Sequence, residues 1–585
     1  MRLQDSSVSL SPLKQDFCNY RWSFLRDDCY AALAVALLTI PQSIAYSLLA
    51  GLPPTAGLFS AIFGTIFTAA FSSSRHLISG PSTGVAILIQ TAIADALYYY
   101  SNHITGPAHD ALVLHILGQI VLIMGVIQIG AAFFNVNKLL QFVSRTVMLG
   151  YFAGIATALL VNQIFYFFGV PQKGHETIVW LKGLHFFRDI FHLDWATLLI
   201  GSISLFLLII LRKLKRAWPD ALIVLIAASA INYALTIWLQ KPVAPTLQQF
   251  PLTAEPLPQI SWPLIDFKLI NKIFSSAVAI AFLAILEVYS ISRNFAARSG
   301  QRVQTNQDIF GLGIGNIALS FLVGAMPASG SVTRTTLNYR FNAKTRFAAI
   351  FSGILTAAII LFCWPLVQLI PLCALAALLI AAIPALINYK EIRVAIRATR
   401  EDRWIFFLTF AACLIFTLDI AFFIGIVISI ATYLRRSAIP HLVEYAFNSK
   451  GRLAIINPKE DVHRKVRIIG IGGDLYFASA DVFQESLQQI AEDPNVAAIV
   501  LRLNNVYHMD ASMCLAIERL HDTLISTNRY LVISGLTEEV WHVFHRAGLV
   551  KRIGLDNLYF TDESNPQFST WKACLRAQEL IHMQN

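Results

Sequence analysis

Between two apolar runs lies Pro327-Ala328-Ser329-Gly330-Ser331-Val332-Thr333-Arg334, a stretch that makes a poor bilayer-crossing helix. Pro and Gly break the helix, hydroxyls follow, and then comes an Arg. In hydrocarbon each unsatisfied backbone group is costly, so irregular backbone persists only when buried in protein or lining a cavity. A helix starting after Gly330 would aim free N–H groups and a positive dipole end into that cavity, which suits an anion. Gly80-Pro81-Ser82-Thr83-Gly84, followed by the apolar run Val85–Thr91, repeats the same ingredients upstream. Paired Pro/Gly-interrupted segments in two halves of a chain point to a transporter site between inverted repeats. Two unrelated kinks are the plainer alternative, because Gly and Pro are common in membrane helices.

Composition places the chain in a membrane. Of 585 residues, 56% are hydrophobic and 14% charged, against about 25% charged in soluble proteins. The net charge of +10 comes from basic residues scattered at span ends. That is a positive-inside pattern and gives no nucleic-acid surface. None of the seven Cys has CxxC or Cys/His ligand spacing, so no metal is expected; Cys363, Cys373 and Cys413 sit in apolar runs as small core residues. Residues 1–28 are polar, so the first apolar stretch is expected to be a retained span behind a cytoplasmic N-terminal segment.

Spans are expected at about Cys29–Leu49, Thr55–Phe71, a broken third ending near Tyr100, Ala111–Phe134, Thr146–Phe168, a sixth ending at Arg212, and Ala221–Leu239. The second half repeats the count with Ile273–Ser292, Ile309–Ala325, the broken span through Arg334, Phe347–Leu369, Leu372–Ile387, Trp404–Leu418 and Ile420–Leu434. That makes roughly fourteen spans of about twenty residues. Seven per half forces the halves into opposite orientation. Lys138, Arg145, Arg212 to Arg216, Arg293, Arg298, Arg302, Arg340, Lys344, Arg346 and a basic loop from Lys390 to Arg403 mark the inside; the segment Gly169–Asp194 is placed outside despite Lys173, Lys182 and Arg188. After Pro440 strands alternate with helices: Val466–Ile471, Ala480–Ala491, Val496–Leu503, Asp510–Thr527, Tyr530–Ser534 and Thr537–Ala547. This reads as a small cytoplasmic α/β domain with a largely parallel sheet. The expected organisation is a head at 1–28, a transport domain at 29–436 (repeats at about 29–240 and 271–436), and an α/β domain at 440–575.

The residues at the broken spans are the candidates for a site. Ser82, Thr83, Ser331, Val332 and Thr333 are expected to form an anion pocket, with the N–H groups of Ser331 and Val332 gripping the ion. The plain alternative is hydroxyls that only satisfy broken backbone. Arg334 either lends positive charge to the pocket or snorkels to the inner surface. Glu287 lies within an apolar span, where an ionisable group is functional by default. Burial disfavours its charge, which suits a proton carrier; a buried pair with an Arg or a backbone donor is the alternative. Asp95 and Asp419, nearer span ends, read as boundary residues. Gly470-Ile471-Gly472-Gly473 is too weak a pattern to claim a nucleotide loop.

Several of these segments resemble those of the SulP sulfate permeases, relatives of the solute-carrier sulfate/anion exchangers. Pro41-Gln42-Ser43-Ile44-Ala45-Tyr46 with Ala50-Gly51-Leu52-Pro53-Pro54 is similar to the family's first-span signature. Ser74-Arg75-His76 with Gly80-Pro81, Asn294-Phe295-Ala296, Asn306-Gln307-Asp308, and Pro327–Ser331 with Thr333-Arg334 are similar to further family segments in the same order. The C-terminal part looks like a STAS domain. The resemblance implies seven-plus-seven inverted repeats, a core domain moving against a gate domain, a homodimer, and an anion held between two facing helix starts. It implies that Gln42 and Tyr46, four apart on one helix face, look onto the anion, and that Arg334 sits beside it. It implies a coupling carboxylate at Glu287, for H⁺ or Na⁺. In Asp510-Ala511-Ser512-Met513, Ser512 aligns with a regulatory phosphoserine of soluble STAS proteins, although Ala511 and Met513 depart from that pattern.

The chain thus reads as no enzyme but a secondary active transporter in the inner membrane, with both termini cytoplasmic. Its cargo would be a small inorganic or carboxylate anion, sulfate foremost, with bicarbonate, dicarboxylate and chloride as alternatives. A membrane-anchored regulator whose STAS domain binds a soluble partner is the rival of a different class. No cofactor is expected beyond the coupling ion.

Overall fold

The computed structural model describes residues 8–9, 12–100, 107–136, 144–171, 178–214, 219–249, 258–263, 265–437, 441–448, 451–456, 464–473, 475–562 and 564–583. Lys138, Lys173, Lys215 and Arg216, used above as topology markers, lie outside them. The chain divides into two compact units, Met1–Ser429 and Ile430–Asn585.

The first unit is helical. A short α1 (Leu13–Asn19) precedes α2 (Trp22–Leu49), which runs unbroken through Pro41 and starts earlier than expected. Next, α3 (Pro54–Phe59) passes through a π turn at Ser60–Gly64 into α4 (Thr65–Phe71). A two-residue strand, β1 (Ser79–Gly80), leads to α5 (Thr83–Tyr100), then α6 (Pro107–Phe133), α7 (Arg145–Phe168), α8 (Val179–Asp189), α9 (Trp195–Lys213) and α10 (Asp220–Leu239). The second half comprises α11 (Phe267–Ser299), α12 (Thr305–Ser320), β2 (Ser329–Gly330), α13 (Val332–Arg340), α14 (Phe347–Val367), α15 (Leu372–Ile380), α16 (Ile383–Leu386), α17 (Tyr389–Ala398), α18 (Arg400–Ile415) and α19 (Leu418–Ser437). Among the described residues, nine helical segments are long and apolar enough to cross a membrane: α2, α3–α4, α6, α7, α9, α10, α11, α14 and α19. The remaining crossings of the fourteen are the short or broken ones, α5, α12, α13, α15 and α18.

Two helices were not foreseen. The segment expected as an outer loop contains α8, and the basic loop at Lys390–Arg403 is α17 running into the start of α18. Both are short amphipathic helices rich in charge, so a scan for long apolar runs passes over them. Capping fixes where several helices begin. Asp194 accepts from Ala196 and Thr197 at α9, Asp266 from Lys268 at α11, and Thr399 from Asp402 at α18.

Packing in the first unit separates two groups. α2, α3–α4, α5, α6 and α11 to α14 pack on one another, whereas α7, α9, α10, α15 and α18 form the other group. In the first group α6 and α12 approach almost backbone to backbone. A Cβ on Gly125 would lie 2.8 Å from the Ile317 N–H, and one on Gly313 would lie 3.0 Å from the Gly125 carbonyl. Small residues permit this close approach in lipid. Asp308, fully buried at the start of α12, accepts from the Ser72 hydroxyl (2.6 Å), the Ser73 and Ser74 N–H groups and the Ser292 hydroxyl. It thereby ties the end of α4 to α11 and α12. Arg346 reaches back to Asp16 (2.6 Å) and the Pro12 carbonyl (2.6 Å), anchoring α1 to the same group.

The second unit is a six-stranded sheet in the order β4-β3-β5-β6-β7-β8. Its strands are β3 (His441–Phe447), β4 (Leu453–Ile455), β5 (Val466–Gly472), β6 (Ala498–Asn505), β7 (Tyr530–Leu536) and β8 (Leu558–Phe560). β5 to β8 are parallel, and β3 and β4 add an antiparallel edge. Helices α20 (Phe477–Ala491), α21 (Ala511–Ser526), α22 (Glu538–Arg546) and α23 (Leu549–Ile553) build the core on one face. On the other face α24 (Phe568–His582) covers Ile468, Val500 and Val532.

Candidate anion site at two facing helix starts

The broken segments of the two halves meet. β1 and β2 pair antiparallel, Ser79 against Gly330 and Gly80 against Ser329. The helices that follow, α5 and α13, therefore leave a shared starting point in opposite directions. Neither strand could stand alone in a membrane interior, and each supplies the other's backbone partners. The surroundings finish this pairing. Thr65 donates to the Ser79 carbonyl, Thr335 accepts from the Ile78 N–H at 3.0 Å, and Asn338 donates to the His76 carbonyl at 3.1 Å. On the β2 side, Asn316 holds Ala328 through both its N–H (2.7 Å) and its carbonyl (3.1 Å), and Gln128 steadies Asn316 at 2.8 Å. Thr65, Gln128 and Asn316 were absent from the sequence reading. Their signal was present in the sequence, since buried amides in apolar runs are costly without a partner.

One expectation needs correction. The Ser331 N–H, proposed as an anion donor, donates instead to the Ile78 carbonyl at 3.0 Å. It extends the β pairing by one residue. The donors left at this end are the N–H groups of Val332, Thr333 and Arg334, which have no acceptor one turn earlier inside α13. Val332 and Thr333 are exposed, whereas Ser331 is buried with its hydroxyl 3.4 Å from that of Thr333. At the other start, Ser82 and Thr83 are buried; the Ser82 carbonyl and hydroxyl accept from Ala86 and Val85, leaving the Thr83 and Gly84 N–H groups at the tip. From α2, Tyr46 meets Thr83, and the Gln42 Oε1 is buried with no partner.

Arg334 does not snorkel. It is fully buried, and its Nη2 donates to the Pro81 carbonyl at 2.6 Å, across from one half to the other. Its Nε and Nη1 are buried with no partner. A buried guanidinium with two idle donors is expensive unless an anion or solvent meets them. Glu287, on α11, is partly buried and accepts from the Ser82 hydroxyl (2.9 Å) and from the Ser329 hydroxyl. One carboxylate thus touches both broken segments. Gly84 makes room for it, because a Cβ there would lie 3.3 Å from Oε1. Glu287 makes no ion pair with Arg334 among the described residues, although each feels the other's charge.

Of the two acids taken for boundary residues, Asp95 is exposed but Asp419 is buried and accepts from Ser276 at 3.1 Å. In the second unit, Ser512 is the second residue of α21, behind the capping carboxylate of Asp510, which accepts from Met513 at 3.0 Å.

Two inverted helix starts, an idle buried guanidinium and a carboxylate shared by both halves thus come together inside the helical unit. Comparison with known proteins gives the family. Residues 25–409 match the sulfate permease family and residues 457–564 the STAS domain, and the chain belongs to that family. It is 27% identical over 580 residues to sulfate transporter 4.1, chloroplastic, of Arabidopsis thaliana, covering 95% of this chain and 82% of that one. It is 26% identical to a probable sulfate transporter of Mycobacterium tuberculosis, covering 95% of this chain and 97% of that one. The fold matches SLC26A9 with a TM-score of 0.84 at 17% identity, over 98% of this chain and 93% of that one. It also matches the transmembrane domain of a cyanobacterium bicarbonate transporter, BicA, with a TM-score of 0.59 at 19% identity, over 70% of this chain and 98% of that one. The protein is therefore an anion transporter of the membrane, not an enzyme.

Proposed function

We propose that the protein takes up sulfate together with protons by alternating access. The observation that carries this reading is the β1–β2 pairing, which sets the Thr83 and Val332 helix starts together beside Arg334. A tetrahedral oxyanion suits several N–H donors from opposed directions and one guanidinium. Glu287 bonds to a hydroxyl from each half, so its proton and the bound anion are sensed by the same pair of segments. A neutral Glu287 lowers the cost of moving the loaded core group past the other helices. The named sulfate transporters among its relatives favour sulfate; bicarbonate, dicarboxylate and chloride are its competitors. By the positive-inside rule, Arg293, Arg298, Arg302, Arg340 and Lys344 face the cytoplasm, with both termini and the STAS domain. The working unit is a homodimer in the inner membrane, and the STAS domain offers the surface for any soluble partner.

The test is uptake of labelled sulfate into proteoliposomes with an inward proton gradient, with competition by the other anions. Wild type should accumulate sulfate and respond to the gradient. Glu287→Gln should abolish gradient-driven accumulation while leaving sulfate exchange at zero gradient. Unchanged gradient-driven accumulation in that variant would refute proton coupling through Glu287, and competition by bicarbonate in preference to sulfate would reassign the cargo.

A further inference from the structure

Far from the paired strands, the second helix group has a charged edge that the anion site does not use. There α17 packs on α7 and α18 through Ala395, which is buried, and Ile392 and Ile396, which are half-buried. Its opposite stripe of Lys390, Arg393, Val394 and Arg397, spaced by single turns, is exposed. Hydrogen bonds hold the helix in place. Arg145, at the start of α7, grips Glu391 of α17 through two bonds of 2.6 and 2.9 Å. Asp402 of α18 accepts from the hydroxyls of Thr146 at 2.9 Å and Thr399 at 2.8 Å. Arg403 Nε donates to the Ile396 carbonyl at 3.0 Å and closes the corner between α17 and α18. The Ser144 N–H, just before α7, donates to the Ser429 hydroxyl of α19 at 2.7 Å. The helices α7, α17, α18 and α19 are thereby joined at one edge.

This bonding decides which charges remain for a partner. Glu391 and Asp402 are occupied inside the protein. Lys390, Arg393, Arg397 and Arg400 have no carboxylate partner among the described residues, and Glu401 is an exposed acid beside them. The same edge borders an apolar surface. On α18, Trp404, Phe407, Leu408 and Ile415 form an exposed stripe, and Arg400 lies one turn before Trp404 on it. On α19 the exposed Val427, Ile430 and Leu434 lead to the exposed Arg435. In a chain that crosses a bilayer, such stripes face lipid. Tyr389 and Trp404, at the two ends of this basic segment, are 61% and 67% exposed. Amphipathic rings of that kind settle at headgroup level. The unpaired cations therefore stand where the lipid-facing surface passes from acyl chain to headgroup.

We propose that α17 and the start of α18 form a binding surface for anionic phospholipid headgroups, with the guanidinium groups of Arg393, Arg397 and Arg400 on the lipid phosphates. A guanidinium matches phosphate oxygens in a two-point fork, and an anionic leaflet attracts each basic residue near its surface. The apolar stripes on α18 and α19 select a lipid over a soluble polyanion, because they run from the cations straight into the hydrocarbon. The Arg145–Glu391 and Thr146–Asp402 bonds tie α7 and α18 to the anchored segment, so the headgroups hold this helix group at a fixed depth. The surface is independent of which anion is carried and of the coupling ion.

The test uses the full chain reconstituted in phosphatidylcholine vesicles, with brominated phosphatidylglycerol or brominated phosphatidylcholine added to quench tryptophan fluorescence. The Trp404 signal is the difference between each protein and its Trp404→Phe counterpart. Phosphatidylglycerol should quench Trp404 at a lower mole fraction than phosphatidylcholine, and this preference should shrink as salt is raised. Combining Arg393→Gln, Arg397→Gln and Arg400→Gln should weaken the preference about fivefold for each charge removed. The same three positions changed to Lys should keep most of it. Equal quenching by the two lipids in wild type overturns the proposal, as does a triple glutamine variant with wild-type preference. Protection of Trp404 by inorganic phosphate beyond that given by sodium chloride of equal ionic strength also overturns it, since the patch would then take a soluble anion. If the triple variant does not insert, the wild-type salt series decides, and a preference unmoved by salt refutes the assignment.

Discussion

Replacing Gly80 with Ala strikes at the junction of the two halves without removing any proposed polar group. Gly80 has φ +148°, a backbone conformation that L side chains rarely adopt, and a Cβ there would lie 2.5 Å from Arg334 Nη1. Strained backbone of this kind costs about 1–3 kcal/mol. Forcing an atom into a packed interior costs about 1–3 kcal/mol more. The part that yields is the guanidinium, because the backbone opposite is held in the β pairing. As it swings off the Pro81 carbonyl it also leaves the anion, and a hydrogen bond to a charged group contributes about 1.5–3 kcal/mol. Sulfate affinity of Gly80→Ala should therefore fall about ten- to a hundredfold. Thermal stability in the absence of anion should drop as well. The assay is sulfate binding to purified protein by tryptophan fluorescence or calorimetry, alongside a melting curve. A variant that folds and binds sulfate with wild-type affinity would refute the placement of Arg334 beside the anion.

Three other perturbations read different parts of the account. Ser82→Ala and Ser329→Ala each remove one hydroxyl from Glu287, so each should weaken proton-driven sulfate uptake and the double variant should lose more; a normal pH profile of uptake in the double variant would detach Glu287 from the broken segments. Asp308→Ala strands the Ser72, Ser73, Ser74 and Ser292 donors in the interior, and it should cost about 3–5 kcal/mol, seen as a large fall in melting temperature of detergent-solubilised protein. In the STAS domain, burial lowers the basicity of His521, which contacts the Arg552 carbonyl at 3.1 Å. Because the unfolded histidine takes up a proton that the folded one resists, stability there is full above the unfolded value of about 6.5 and declines as pH falls below it. His521→Gln should flatten that decline in hydrogen exchange of α21 measured on the whole protein.

The membrane architecture was legible because apolar runs of span length and the charges between them are one-dimensional signals. The broken segments stood out for the same reason: Pro, Gly and hydroxyls have no business in hydrocarbon unless another segment answers them. Their mutual pairing was inferable only as proximity. The antiparallel register of Ser79 and Gly80 with Gly330 and Ser329 depends on contacts more than two hundred residues apart in sequence. The Ser331 N–H was misassigned for this reason, since its acceptor, Ile78, is an ordinary apolar residue with no marker. Asp419 reads as a boundary residue because its position near a span end hides its burial and its bond to the Ser276 hydroxyl. The helices α8 and α17 escaped notice because amphipathic periodicity over ten residues is a weaker pattern than twenty apolar residues in a row. In the STAS domain the parallel core strands read clearly, whereas the short β4 and β8 edges did not, since three residues carry no alternation.

The central claim is that the anion sits between the α5 and α13 starts. Selenate, a tetrahedral dianion with an anomalous scatterer, can be soaked into crystals of the protein and located directly. A single strong peak within hydrogen-bonding reach of the Thr83–Gly84 and Val332–Thr333 N–H groups and of Arg334 is the predicted result. A peak elsewhere in the membrane unit, with none at this point under conditions where selenate competes with sulfate for uptake, would contradict it.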